Sequence, residues 1–255
     1  FFDASSIRKI YGWYYFVYSS VKGHELCYAV SDRPDEGYTY GGVVVDNADI
    51  FEGDPNRQEG VMAQGNNHGG IEEANGQWYV FYHRQTDRGS FSRQACAEKI
   101  FFDSQGRIRQ AEITSCGLND GPLAGEGVYP ANICCHLSQG GKTTFSHPMA
   151  MGENFPYLTQ DEKDITPEDV GFPESARRDA AFPVQFVRNF KDQSIMGFKY
   201  FDCRGLKRAG LTLRGKAEGT IVVSTVPMTA ENSDPAAVIG EISVDVNTEQ
   251  WTTVS

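Results

Sequence analysis

Over the first hundred residues, apolar and aromatic positions come in short alternating runs separated by glycine-bearing dipeptides, the pattern of half-buried β-strands joined by tight turns. The clearest run is Trp78 to Tyr82. It follows Asn75-Gly76, the dipeptide that most readily takes the positive φ angles of a two-residue hairpin. In front of that hairpin stands a polar loop rich in glycine, Gly65-Asn66-Asn67-His68-Gly69-Gly70. The pattern therefore predicts that His68 sits at the mouth of an inner strand, on a loop held by a rigid hairpin.

The same pattern occurs earlier. Ile7, Gly12 and the run Tyr14 to Tyr18 overlay Ile71, Gly76 and Trp78 to Tyr82 at a constant offset of 64 residues. In both copies a third strand-like run follows (25–31 and 91–100) and then a fourth (38–45 and 108–114). Two units of four antiparallel strands at a fixed period predict β-propeller blades, with a plain antiparallel sheet and a coincidental internal match as the alternative. Between the units, residues 46–64 read as a long polar surface connection. From Ser115 to about Thr166 glycines and prolines break the regular pattern, which predicts a segment wrapping back over the propeller and then a linker. Strand-like runs return at 196–202, 210–215, 219–225 and 238–246, with glycine turns between them and Phe198, Tyr200 and Phe201 read as core. That is the signature of a β-sandwich. The expected organisation is 1–150 for the propeller part, 151–181 for the linker and 182–255 for the sandwich, which looks cut short after Trp251.

Composition narrows the choice of partner. The 255 residues are 40% hydrophobic and 12% aromatic, enough for a proper core, and carry a formal charge of −11. Such a surface repels nucleic acid and anionic membranes, so neutral ligands are expected. No run approaches the ~20 apolar residues of a membrane span. Phe1 reads as the middle of a strand without a leader, so the true N-terminus is expected upstream, and secreted and cytoplasmic locations both stay open. Six cysteines, at 27, 96, 116, 134, 135 and 203, show no zinc-like spacing. Cys27 and Cys96 fall in equivalent third strands and read as core.

Candidate chemistry gathers at the strand heads. Under the 64-residue offset Asp3 falls on Asn67, next to His68. Heads of inner propeller strands all face one central channel, so Asp3 and His68 are expected to share a site, although a lone Asp would read as a solvated turn carboxylate. Arginines at 84, 88 and 93 follow, and a guanidinium can donate paired hydrogen bonds to hydroxyls or to a carboxylate. Arg93 lies within a strand and is expected to point into the channel, whereas Arg84 and Arg88 read as solvated loop residues. His136 and His147 read as packing or surface residues.

These residues carry a resemblance. The stretches 1–10 (FFDASSIRKI) and 14–20 (YYFVYSS), then HELCYAVSD at 24–32, Gly-Asn-Asn-His-Gly, SRQACAE at 92–98, TSCGL at 114–118 and EGVYPA at 126–131 look like glycoside hydrolase family 43. They are most similar to its β-xylosidase and α-L-arabinofuranosidase members with a C-terminal carbohydrate-binding-like module. The resemblance implies a five-bladed propeller of which this chain carries about the last two blades. It implies Asp3 at the general-acid position, His68 as a central substrate-binding histidine, and Asn67 and Arg93 beside the substrate. It implies no required cofactor, with a structural calcium ion or a water in the channel near His68. The family residue at the acid position is glutamate, and here it is Asp3. The blades bearing the base and a second, tuning aspartate would precede Phe1.

The expectation is thus an all-β chain of an inverting glycosidase acting on arabinose- or xylose-containing plant cell-wall polysaccharide or oligosaccharide, of unspecified oligomeric state. A non-catalytic sugar-binding protein on the same scaffold is the main competitor, which Asp3 in place of glutamate makes credible. A propeller serving protein partners is a third reading, disfavoured by the polar channel mouth.

Overall fold

The computed structural model describes residues 3–86, 93–143, 154–160, 185–229 and 234–255, with Asp3 described by its backbone. Arg88, His147 and most of the expected linker lie outside them. The regular structure of the described residues is almost wholly β, with short 3-10 turns at Ala131–Ile133 and Pro235–Ala237. None of their helices is long and apolar enough to cross a membrane. The chain divides into two compact units, Phe1–Leu123 with Val128–Tyr200, and Ala124–Gly127 with Phe201–Ser255.

In unit 1, β1 (Asp3–Ile10), β2 (Trp13–Ser19), β3 (Glu25–Ser31) and β4 (Thr39–Asp46) form a four-stranded antiparallel meander in sequence order. A second sheet follows with β5 (Gly69–Ala74), β6 (Gln77–Gln85) and β7 (Arg93–Lys99). Across the two hairpins, from Ser5–Tyr18 to Ile10–Trp13 and from Gly69–Tyr82 to Ala74–Gln77, the repeat holds residue by residue. Tyr11-Gly12 and Asn75-Gly76 both take positive φ, 50° and 92° in the first turn and 53° and 80° in the second, as a two-residue hairpin requires. Ile7 pairs with Phe16 as Ile71 pairs with Val80.

The second sheet lacks the expected fourth strand. Asp103 accepts from the backbone N–H groups of Gln105 and Arg107, and Gly106 takes φ 77°, so the chain reverses just after β7. Residues 108–114 then make isolated bridges, Phe102 with Ile108 and, in parallel, Val45 with Ala111. Their backbone donors go to Tyr28 Oη, Val44 O, Asp49 Oδ1 and Glu98 Oε1. The N–H groups of Ile108, Ala111, Ile113 and Thr114 are therefore spent elsewhere than on a backbone ladder with β7.

Alternation along the strands explains most of the core, and a register shift at Val44 lets both Val44 and Val45 join it. Tyr15 and Val17 on β2, Leu26 and Tyr28 on β3, Val44 and Val45 on β4, and Ile71, Val80 and Tyr82 of the second sheet form one apolar cluster with Ile100 and Ile108. Full burial of each aliphatic side chain contributes about 1.5–3 kcal/mol. Two glycines allow the close approaches. A Cβ on Gly41 would lie 2.2 Å from the Tyr28 ring, and one on Gly70 would lie 2.7 Å from Ser6 Oγ of the first sheet.

The wrapping segment packs Cys134, Cys135, Leu137 and Leu158 with Met62 and Ile113 in a smaller core, and supplies β8 (Leu123–Ala124), β9 (His136–Gln139) and β10 (Tyr157–Thr159). β11 (Phe186–Arg188) pairs with β10, and β12 (Ser194–Gly197) pairs with β9. Residues up to Tyr200 therefore pack with unit 1, rather than with the segment that follows.

Unit 2 holds β13 (Phe201–Asp202) and a long two-stranded ribbon of β14 (Leu211–Ser224) and β15 (Val238–Val254). Gly215 and Gly219, read as turn residues, lie inside β14 with φ 108° and 143°. Gly215 sits at a register shift, where a glycine absorbs the irregular geometry of a bulge. The runs 210–215 and 219–225 are therefore one strand. Trp251 lies in β15 under the Arg214 guanidinium, 4.4 Å from the ring centre. Phe198 and Tyr200, read as core, are 39% and 50% exposed. Tyr200 instead donates its hydroxyl to Glu112 at 2.6 Å.

Candidate functional site

The head of β5 is pinned from the first sheet. Asn67 is fully buried. Its backbone N–H donates to Gly23 O at 2.8 Å and its side-chain amide to His24 O at 3.2 Å. Asn67, expected beside the substrate, thus joins two sheets through its backbone and amide.

His68 comes next. Gly69 pairs with Tyr82, so continuing the register one step sets His68 opposite His83, and their rings meet edge to face at 5.1 Å. His83 pairs with Ala95, and two residues further along the same face Gln85 pairs with Arg93. His68, Phe81, His83, Arg93 and Ala95 line an open pocket of about 430 Å³, with the strand residues Tyr82 and Cys96 at its base. Burial, reinforced by the Arg93 guanidinium and by His68, pushes the His83 imidazole down to about 4. The pocket therefore presents a neutral imidazole from His83 beside the Arg93 guanidinium. Sequence reasoning missed His83. The signal was strand parity, since alternation along Phe81-Tyr82-His83 puts His83 on the face that His68 meets.

The first sheet reaches the same position by a different route. Ser5 pairs with Tyr18 as Gly69 pairs with Tyr82, in step with the 64-residue repeat. One residue further, a bulge at Ala4 (φ 39°) sets Asp3, rather than Ala4, opposite Ser19. Ser19 is the repeat counterpart of His83. The backbone of Asp3 therefore occupies in the first sheet the place that His68 occupies in the second.

Other charged groups lie on the far face or deeper. Arg84, read as a solvated loop residue, is a buried β6 residue. It donates to Gln94 Oε1 at 2.8 Å, to Cys134 O at 2.7 Å and to Asn132 O, which anchors the wrapping segment on the second sheet. Burial raises the Glu98 carboxyl to about 7, while the Thr114 N–H and hydroxyl, at 2.6 and 2.7 Å, oppose that rise. A carboxyl held near neutrality invites an acid–base reading. However, Glu98 pairs with Val80, whereas Ala97 pairs with Phe81, so Glu98 faces away from the His68 pocket. Asp49 is buried among Arg57, Lys199 Nζ at 3.0 Å and the Ile113 N–H at 2.9 Å, and Lys199 also reaches Glu112 at 2.8 Å. His136 accepts or donates at Ser138 Oγ, 2.7 Å away, in line with its packing role.

Among the described residues, one group brings three metal-type ligands together: His24, Glu25 and Asp46. All four of its carboxylate oxygens are already engaged, by Lys22 and Ser20 on Glu25 and by the Ala48 N–H and His24 Nδ1 on Asp46. The group fits a hydrogen-bonded cluster and does not fit a metal centre. The described side chains of the His68 pocket offer imidazoles and a guanidinium, which likewise do not fit a calcium ion held directly, since calcium takes oxygen ligands.

No family model matches the chain. It is 43% identical over 258 aligned residues, all of this chain and half of the relative, to a protein of Thermoclostridium stercorarium named xylosidase/arabinosidase. The chain is thus a homologue of a protein named xylosidase/arabinosidase. A β-xylosidase of Xylanibacter ruminicola is 33% identical over 111 residues, 43% of this chain and 30% of the relative. A solved structure described as a GH43 β-xylosidase/α-arabinofuranosidase from a compost metagenome, with xylotriose and in calcium-free form, shows 30% identity over 43% of this chain and 30% of its own, with TM-score 0.34. The chain thus spans about half the length of the first of these relatives.

Proposed function

We propose that this chain forms part of an inverting glycosidase that hydrolyses O-glycosidic bonds in arabinose- or xylose-containing plant polysaccharides or oligosaccharides. The observation that carries the reading is the bulge that sets Asp3 opposite Ser19, giving two successive strand heads an acid and an imidazole in one backbone position, in a chain 43% identical to a xylosidase/arabinosidase. On this reading the two sheets of unit 1 are the last two blades of a five-bladed propeller and the ribbon of unit 2 belongs to a sandwich module. The remaining blades come from other parts of the whole protein.

Asp3 then donates the proton to the departing glycosidic oxygen. A second carboxylate, supplied elsewhere, activates water on the opposite face, at the ~6.5–9.5 Å separation that leaves room for that water. The Arg93 guanidinium and His68 bind sugar hydroxyls, and Asn67 holds the His68 loop in register. The neutral His83 imidazole keeps a second positive charge away from a site where oxocarbenium character develops.

Turnover of nitrophenyl α-L-arabinofuranoside and β-D-xyloside by the full-length natural chain tests this reading, with the anomer released followed by NMR. Inverted product supports it, and retained product or no turnover on either substrate overturns it. A non-catalytic sugar-binding role is the second reading, favoured by the aspartate in place of glutamate. It predicts saturable binding of xylo- or arabino-oligosaccharide without product.

A further inference from the structure

Between the two sheets lies a buried network of which the proposed chemistry uses Asn67 alone. His24, Asp46, Asn47 and Asn67 are 6%, 1%, 1% and 0% exposed. His24 sits in the turn entering β3, and Asp46 and Asn47 sit at the end of β4. His24 Nδ1 donates to Asp46 Oδ2 at 2.8 Å, and the other carboxylate oxygen accepts from the Ala48 N–H at 2.7 Å. The His24 carbonyl accepts from the Asn47 N–H at 3.0 Å and from the Asn67 amide at 3.2 Å. The Asn47 amide in turn donates to the carbonyls of Gly65 at 3.3 Å and Asn66 at 3.0 Å. The Asn67 N–H closes the network on Gly23 O at 2.8 Å. Three consecutive residues, Gly65, Asn66 and Asn67, are thus tied to the first sheet immediately before His68.

We propose that the buried His24–Asp46 pair is the positioning element of His68, fixing the His24 main chain that holds the β5 head. Hydrogen bonds inside a protein strengthen one another and cost most when a partner is lost. Removing the imidazole frees the turn at Gly23–His24, which releases both acceptors of Asn67 and lets His68 leave its place against His83. The proposal places no demand on the chemistry of His24 itself, since His24 lies beneath the loop and acts through it. Its catalytic consequence rests on the proposed sugar-binding role of His68, whereas its structural consequence does not.

The test has two arms. The chain has five histidines, so each imidazole signal in a nitrogen–proton spectrum is assigned by single substitution. In His24→Leu the His68 and His83 ring signals move or broaden while those of His136 stay in place. In His24→Asn, whose amide reaches the position of Nδ1, they return. If His24→Leu does not fold, Asp46→Asn serves in its place, because it keeps an acceptor for the Ala48 N–H and alters the partner of His24. Unchanged His68 signals in a folded variant overturn the proposal.

The second arm is a double-mutant cycle on kcat/KM in the full-length natural chain. His24→Leu lowers kcat/KM by roughly ten- to hundredfold, as expected for a misplacement of about 1 Å, and by less than about twofold in a His68→Ala background. Equal losses in both backgrounds would contradict positioning through His68. If His68→Ala itself keeps full activity, the sugar-binding role of His68 fails, and the ring spectra still decide whether His24 positions it.

Discussion

The two sheets of unit 1 are built on one hairpin and finished in different ways. The first opens β1 at a bulge that sets the backbone of Asp3 at its head, and it has four strands. The second ends in a loop pinned through Asn67, brings an imidazole to the head, and has three strands, because the N–H groups of Ile108, Ala111, Ile113 and Thr114 go to the first sheet and to two carboxylates. A repeated scaffold can therefore carry different chemistry at equivalent backbone positions while its hairpins stay constant. The divergence lies at the ends of the strands, where a single bulge or turn decides which residue faces the site.

The largest way to break the second sheet is at Arg84. Arg84→Met leaves the Cys134 carbonyl without its side-chain donor and removes one of the two donors to the Asn132 carbonyl, which keeps Gln94 Nε2, and should cost about 3 kcal/mol, measured by urea denaturation. The first sheet has no equivalent, since Ser20 occupies the repeat position. Gly70→Ala comes next. Its Cβ would meet Ser6 Oγ at 2.7 Å, and prying the sheets apart should cost about 1–3 kcal/mol.

pH sharpens the contrast between the two faces of the second sheet. Glu98 is raised from 4.5 to about 7, so its contribution to stability is fully present below pH 4.5 and is lost as pH rises through 7. His83 is lowered from 6.5 to about 4, so its contribution is present above pH 6.5 and is lost as pH falls through 4. Glu98→Gln should remove the loss on the alkaline side of that range, and His83→Gln should remove a loss on the acid side. Melting temperatures from pH 4 to 8 would show either slope unchanged if the assignment is wrong.

The smallest effect compares the two turns. Asn75 and Tyr11 take nearly the same positive φ, 53° and 50°, a conformation that Asn tolerates and bulky residues resist. Asn75→Tyr should cost about 1 kcal/mol. Tyr11→Asn should be close to neutral, because the relief in the turn is offset by loss of the edge-to-face contact with Phe102 at 6.2 Å. Chemical denaturation of both variants checks the difference.

Much of this comparison was legible in the sequence. The Asn75-Gly76 turn, the 64-residue repeat and the strand at 25–31 follow from local rules, because alternation and turn dipeptides act over a few residues. The fourth strand at 108–114 was misread because its alternation is that of a strand, while its partners were chosen by a turn at Asp103–Gly106 and by carboxylates far away in sequence. Gly215 and Gly219 were misread as turns because a glycine marks a strand irregularity and a reversal equally well. Arg84 was taken for a solvated residue because its three acceptors lie on two distant segments. At the site, Asp3 and His68 were related through the repeat, but the bulge that makes them equivalent and the ring contact with His83 depend on register, which the repeat does not specify to one residue.

The central claim is that the Asp3 head carries the proton donor in the place where the second sheet carries His68. The most direct measurement is hydrolysis by Asp3→Asn in the full-length natural chain, comparing substrates with poor leaving groups and activated aryl glycosides. Asparagine keeps the shape and removes the transferable proton, so activity on poor leaving groups should fall by roughly a hundredfold or more while aryl glycosides, whose leaving oxygen needs little protonation, lose far less. Equal retention of both activities would contradict the claim.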